Sequence, residues 1–169
     1  FPLKSGRGEV LEQARVDSLG LSGDRRWMIV DADSGRFLTQ RLLPVMTQIE
    51  ARWHGQDLVL NAPGRPELLV ELPGSDAALR SVSVWSDNLS VPDAGAAAAR
   101  WLSDYLQRDC RLVQVPEPRA RQVDPAYARQ GEQVGFADGF PLLLIGQASL
   151  EDLSQRVGRP LEMLRFRPN

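Results

Sequence analysis

The chain has 169 residues, 43% hydrophobic and 25% charged, with a net charge of −2 and a pI near 5.5. This balance predicts a soluble globular protein able to bury roughly two-thirds of its unfolded surface without disulfide staples. It argues against a general nucleic-acid binder, and no apolar run approaches the roughly 18 residues of a membrane span.

Residues 1–92 read as β-rich. Arg26–Asp31 and Arg36–Arg41 flank the turn-like stretch Ala32–Gly35 and give one hairpin signal. Ile49, Ala51 and Trp53 alternate with polar residues, as do Leu58 and Leu60. His54-Gly55-Gln56-Asp57 between them marks a second hairpin. Leu68, Val70 and Leu72, then Val82, Val84, Leu89 and Val91, continue the period of two; short strands at this spacing imply a sandwich or barrel. Residues 93–107 carry Ala94, Ala97, Ala98, Trp101, Leu102 and Tyr105 at helical spacing, with Asp93 placed as N-cap. Arg111–Val115 reads as a further strand. Pro116–Glu132, polar and rich in Pro and Arg, reads as a loop holding the boundary. Phe140–Ile145 is an apolar run of strand length. Ser149–Val157 reads as a helix with a Ser149/Asp152 capping box and a stop at Gly158 and Pro160, and Leu161–Phe166 as the start of another strand.

Catalytic constellations are missing from this pattern: it contains no nucleophile elbow, P-loop, dinucleotide fingerprint or paired-histidine zinc motif. The lone histidine, His54, falls in a turn. Cys110, the only cysteine, has no intramolecular partner and reads as an unreactive packed thiol, in keeping with a reducing, cytoplasmic location. The N-terminus lacks the long apolar core of a signal peptide. What remains is anion binding. Nineteen of the twenty basic residues are arginine, suited to planar oxyanions, and Lys4 is the only lysine. Lys4, Ser5, Gly6, Arg7 and Gly8 bring together a cation, a hydroxyl and closely approachable backbone, which suits a phosphate; the ordinary reading is a mobile basic terminus. Strand alternation turns one of Arg25 and Arg26 inward, towards a ligand phosphate or towards Asp24 or another carboxylate. Arg165 and Arg167 alternate around Phe166 and share a side, with surface charge as their default role.

The segments FPLKSGRG (1–8), GLSGDRRWMIVD (20–31), RFLTQRLLPVM (36–46), WSDNLSVPDAG (85–95), WLSDYLQRDCRLV (101–113), DGFPLLLIGQASLEDL (138–153) and RFRPN (165–169), in this order, resemble MOSC-domain proteins. The pattern is similar to YcbX-like bacterial proteins and the mitochondrial amidoxime-reducing component, and also to the C-terminal region of molybdenum-cofactor sulfurases. No single motif carries the likeness; their joint order does, over nearly the whole chain. The resemblance implies a mainly β (α+β) fold: a β-barrel-like N-terminal domain at 1–120 with one well-formed amphipathic helix, a linker at 121–135, and at 136–169 the β-rich opening of a truncated MOSC domain. It also implies that Lys4, Ser5 and Arg25 (rather than Arg26) contact the phosphate of a molybdenum cofactor (molybdopterin). By the same likeness Asp138, Gly139 and Phe140 line its pterin, and Arg167 and Asn169 form a second binding segment.

The family's molybdenum-ligating cysteine lies beyond the RFRPN motif, and Cys110 is not its equivalent, so no catalytic or metal residue is assigned. The chain alone is expected to be inactive and to bind the cofactor weakly or not at all. The resemblance implies a whole protein that reduces N-hydroxylated or N-oxide compounds, small molecules, with electrons from a ferredoxin-like iron–sulfur partner, fused or separate. The alternatives are a sulfur carrier or sulfurtransferase in cofactor sulfuration and a non-catalytic binding module. Pyridoxal phosphate enters by family association only; with Lys4 the sole lysine, a covalent adduct on this chain is not expected.

Overall fold

The computed structural model describes residues 1–116 and 120–169; the stretch 117–119 of the expected loop lies outside them. Short strands dominate. After β1 (Val16–Asp17) and β2 (Gly20–Leu21), which pair with each other, comes the central strand β3 (Trp27–Asp31). β4 (Glu50–His54), β5 (Asp57–Asn61) and β6 (Leu68–Val70) form an antiparallel meander, with the expected tight turn at Gly55-Gln56. β7 (Leu79–Val84) and β8 (Asp87–Pro92) make a hairpin, followed by helix α1 (Gly95–Leu106) and β9 (Cys110–Gln114), which pairs antiparallel with β3 from Trp27↔Gln114 to Asp31↔Cys110.

Single bridges join these small sheets into a barrel-like ring. Val30 pairs with Phe37, Arg36 with Ser83 on β7, and Asp93, just past β8, with Val113 on β9. Met28, Val30, Val82, Val84, Val91, Val113 and Phe136 fill this ring. The alternate residues of β3 and β9, Trp27, Ile29, Cys110 and Leu112, face a second core with Leu58 and Leu60 of β5 and Ala98, Trp101 and Leu102 of α1. β3 is therefore covered on both faces, which explains its unbroken apolar run Trp-Met-Ile-Val. Helix α1 lies where the spacing puts it, although its buried stripe runs Ala98, Ala99, Trp101, Leu102, Leu106 and leaves Ala97 exposed. Asp93 does not act as a simple cap. Its carboxylate accepts from Gly95 N (2.8 Å) and also binds Arg80 (2.9 Å) and Arg111 (2.7 and 2.8 Å), so its main work is joining β7 and β9 across the start of α1.

Five expectations are corrected. Arg36–Arg41 contributes bridges at Arg36 and Phe37 and no full strand. Within the expected loop and linker, β10 (Arg121–Gln122) and β11 (Gln133–Val134) pair antiparallel, because Val123 and Val134 form a small apolar cluster with Ala137. Phe140–Ile145 is not a strand: Phe140, Leu142, Leu143 and Leu144 are 42–83% exposed and their backbone has no sheet partner. Leu161–Phe166 is likewise no strand; Met163–Phe166 form a 3₁₀ turn that ends at Arg167 in the left-handed region. Helix α2 (Gln147–Val157) forms and stops at Gly158 (φ +75°), but it starts at Gly146, so Ser149 sits inside the first turn and builds no capping box.

Candidate functional site

The N-terminal segment runs beside the start of β3. Trp27 N donates to Pro2 O (3.0 Å), Lys4 N to Trp27 O (2.8 Å) and Arg25 N to Phe1 O (2.7 Å). This places Lys4 and Arg25, distant in sequence, on neighbouring backbone. Phe136 N donates to Arg25 O (2.9 Å), drawing the 135–140 loop to the same place. The C-terminal segment arrives last: Asn169 Nδ2 donates to Asp24 Oδ2 (3.0 Å), and Arg25 Nη2 to Arg167 O (3.1 Å).

The result is one cavity of about 480 Å³ whose lining includes all eight residues named from sequence: Lys4, Ser5, Arg25, Asp138, Gly139, Phe140, Arg167 and Asn169. Sequence reasoning missed Arg41, Trp85 and Arg165 as members of the same wall. From spacing alone Arg165 and Arg167 read as a pair of surface charges; the resemblance brought only Arg167 into the site and left Arg165 out. No local motif singles out Arg41 or Trp85; only the ring of pairings brings them here.

Both arginines after Asp24 are buried or nearly so, against the alternation expected of them. Arg25 has φ +46°, which breaks the extended run, so the strand begins at Trp27. Arg26 is then held by Asp17 (2.7 and 2.8 Å), away from the cavity, while Arg25 binds the Asp24 carboxylate and stacks over the Phe1 ring at 4.8 Å. Asp24, the ordinary partner, is thus one of Arg25's contacts, beside the Arg167 carbonyl.

Lys4 is almost wholly buried. Its Nζ donates to Phe136 O (2.7 Å) and Asp138 Oδ1 (2.5 Å) and lies 5.5 and 5.9 Å from the Phe37 and Trp85 ring centres. Burial lowers the Lys4 pKa, and the hydrogen bond and charge of Asp138 only partly restore it. Burial raises the Asp138 carboxyl, but Lys4 outweighs it and the net direction is down. Arg167 is pushed down to about 10 by burial and by Arg25. It stacks on Phe1 at 4.2 Å and donates to Gln40 Oε1 (3.4 Å), and its buried Nη2 has no hydrogen-bond partner among the described residues.

Two features set this wall apart. It carries five cationic side chains (Lys4, Arg25, Arg41, Arg165, Arg167) against one carboxylate, Asp138. In addition, of the five non-glycine residues with positive φ among the described residues, four line it: Ser5 (+66°), Arg25 (+46°), Trp85 (+55°) and Arg167 (+54°). Left-handed backbone costs an L-residue roughly 1–2 kcal/mol, and strain of this kind gathers at binding sites. The surplus of positive charge and the unpartnered guanidinium nitrogen suit an anion with several acceptor oxygens. Cys110 takes no part: it is 1% exposed in the core, and burial raises its thiol pKa. Among the described residues, no cluster of three metal-ligating side chains occurs and no helix is long and apolar enough to cross a membrane.

Residues 1–109 match the family model described as the MOSC N-terminal beta barrel domain. The chain is 31% identical to mitochondrial amidoxime-reducing component 1 of Mus musculus, over 100% of this chain and 52% of that protein. It is 31% identical to mitochondrial amidoxime reducing component 2 of Homo sapiens (100% and 53%) and 30% identical to component 1 of Xenopus laevis (99% and 52%). The chain thus spans about half the length of the curated relatives it matches. A solution structure of a Bordetella bronchiseptica protein shares the fold with a TM-score of 0.53 at 23% identity, covering 70% of this chain and 100% of that one.

Proposed function

Since the chain belongs to the family of the MOSC N-terminal beta barrel domain, we propose that its cavity holds the phosphate and pterin of a molybdenum cofactor. In this reading residues 1–120 are the N-terminal β domain, 121–135 the connection and 136–169 the opening of the MOSC domain. Lys4, Arg25 and Arg167 hold the phosphate, with the Ser5 hydroxyl as a further donor. Asp138, Gly139 and Phe140 border the ring, and Asn169 ties the second binding segment to Asp24. The cofactor supplies the redox chemistry of the metal; this chain supplies orientation, positive charge and a half-buried, strained frame.

The observation that carries the reading is the convergence of eight residues from four distant segments on one wall with five cations and one carboxylate. The names of the relatives support a reductase of N-hydroxylated compounds as the whole protein's activity. Electrons would come from a ferredoxin-like donor and the thiolate ligand from outside this chain, in a cytoplasmic setting. The test is the molybdenum and pterin content of the gene product that contains this chain. The wild type carries both in stoichiometric amounts, and the variant with Lys4→Met and Arg167→Gln loses most of each. Equal cofactor content in the two proteins would reject the site.

A further inference from the structure

Arg121 lies outside the cavity wall, in a stretch with no sequence signal, yet it is 7% exposed and fully engaged. Its Nε donates to Asp87 Oδ2 (2.7 Å), at the first residue of β8. Its Nη1 donates to Ala137 O (2.8 Å) and Gly135 O (3.4 Å), and its Nη2 to Asp138 O (3.2 Å). The one carbonyl of this loop that Arg121 does not reach, Phe136 O, is bound by Lys4, whose other partner is the Asp138 side chain. Two buried cations therefore grip successive carbonyls of one loop. Only a planar fork satisfies three carbonyls and a carboxylate at once; an ammonium offers three donors from a single point.

We infer that Arg121 is a positioning residue: by fixing the 135–138 backbone it holds the Asp138 carboxylate on Lys4 and so sets where the Lys4 charge stands in the cavity. The inference rests on the proposed cofactor reading for its importance, though not for its geometry. The groups that face Lys4 Nζ are Asp138 and Phe136 O from the loop, the rings of Phe37 and Trp85, and, at longer range, the charges of Arg121 and Arg25. Arg121 acts on Lys4 in two opposed ways. Its direct charge disfavours the ammonium, and its hold on Asp138 favours it.

That opposition gives a test with a sign. Lys4 is the only lysine, so protein labelled with ¹³C-lysine gives one side-chain signal whose titration follows this residue alone. Arg121→Lys keeps the charge and loses the fork. If Arg121 positions Asp138, the Lys4 midpoint moves to lower pH in R121K, in the same direction as in D138N. In the D138N background R121K then causes no further fall, because the contact it acts through is already gone. General loosening of the fold would let water reach Lys4 and raise the midpoint in both backgrounds, and a purely electrostatic role would leave R121K unchanged; either result overturns the inference. D87N releases the outer anchor while sparing the guanidinium and is the variant to read if R121K does not fold. It shows a smaller shift of the same sign, and no shift would count against the proposal. Titration of the labelled wild type with inorganic pyrophosphate keeps the two readings apart. A Lys4 signal that responds to R121K but not to pyrophosphate leaves Arg121 in its role and removes the cofactor reading instead.

Discussion

Replacing Lys4 with Met separates a residue kept for binding from one kept for stability. The ammonium is 6% exposed and has two partners. Methionine of similar length removes a desolvated charge, a relief of several kcal/mol set against the lost ion pair. It leaves Phe136 O without its donor, a cost of about 1–3 kcal/mol for a buried carbonyl, whereas Asp138 is 65% exposed and regains water. These terms nearly cancel, so urea denaturation of K4M should give a stability within about 1 kcal/mol of the wild type. Anion binding has no such compensation. Losing one charge-assisted hydrogen bond worth about 1.5–3 kcal/mol should weaken inorganic pyrophosphate, followed by NMR titration, about 10- to 150-fold. A loss of more than about 3 kcal/mol of stability with unchanged pyrophosphate affinity would refute the argument, because Lys4 would then be a structural ion-pair member.

Asp93 should behave in the opposite way. Burial raises its carboxyl, but the hydrogen bonds from Arg111, Arg80 and Gly95 N outweigh it and hold the pKa below the usual aspartate value. The stability it contributes is complete above about pH 4 and is lost as pH falls through the folded-state value. D93N should therefore cost about 3 kcal/mol at pH 7 and flatten the acid limb of the denaturation profile. Gly35 has φ +66°, and an added Cβ would meet Ser81 O at 2.5 Å, so G35A should lose about 2–4 kcal/mol by thermal or urea melting. The Cys110 thiol, 1% exposed, should resist aromatic disulfide reagents in the native protein and react fully in denaturant.

How far the sequence reveals this fold depends on whether a strand has one buried face or two. The β4–β5 hairpin was legible because Ala51 alternates with exposed Glu50 and Arg52 around a Gly-containing turn. Helix α1 was legible from its Trp101/Leu102 stripe. The apolar run after Gly139 has the composition of a buried strand, yet its leucines are exposed and its backbone has no sheet partner, Leu143 pairing only with Asn169, so composition misled. β10 and β11 are two residues each and hold together through a small apolar cluster, below what periodicity detects. At the site, likeness to a family selected the residues, and the structure places them on one wall. Arg121, Trp85 and Arg41 carry no local signal, since each gains its role only from partners far along the chain.

Whether this cavity reads a phosphate can be measured directly by calorimetric titration of the cofactor-free gene product that contains this chain with a phosphate-bearing pterin and with the same pterin lacking its phosphate. The phosphorylated ligand should bind at least about 10-fold more tightly, the gain of one charge-assisted contact, and Lys4→Met with Arg167→Gln should abolish that preference. Equal affinity of the two pterins for the wild type, or a preference that survives the double substitution, would contradict the assignment of these cations to a ligand phosphate.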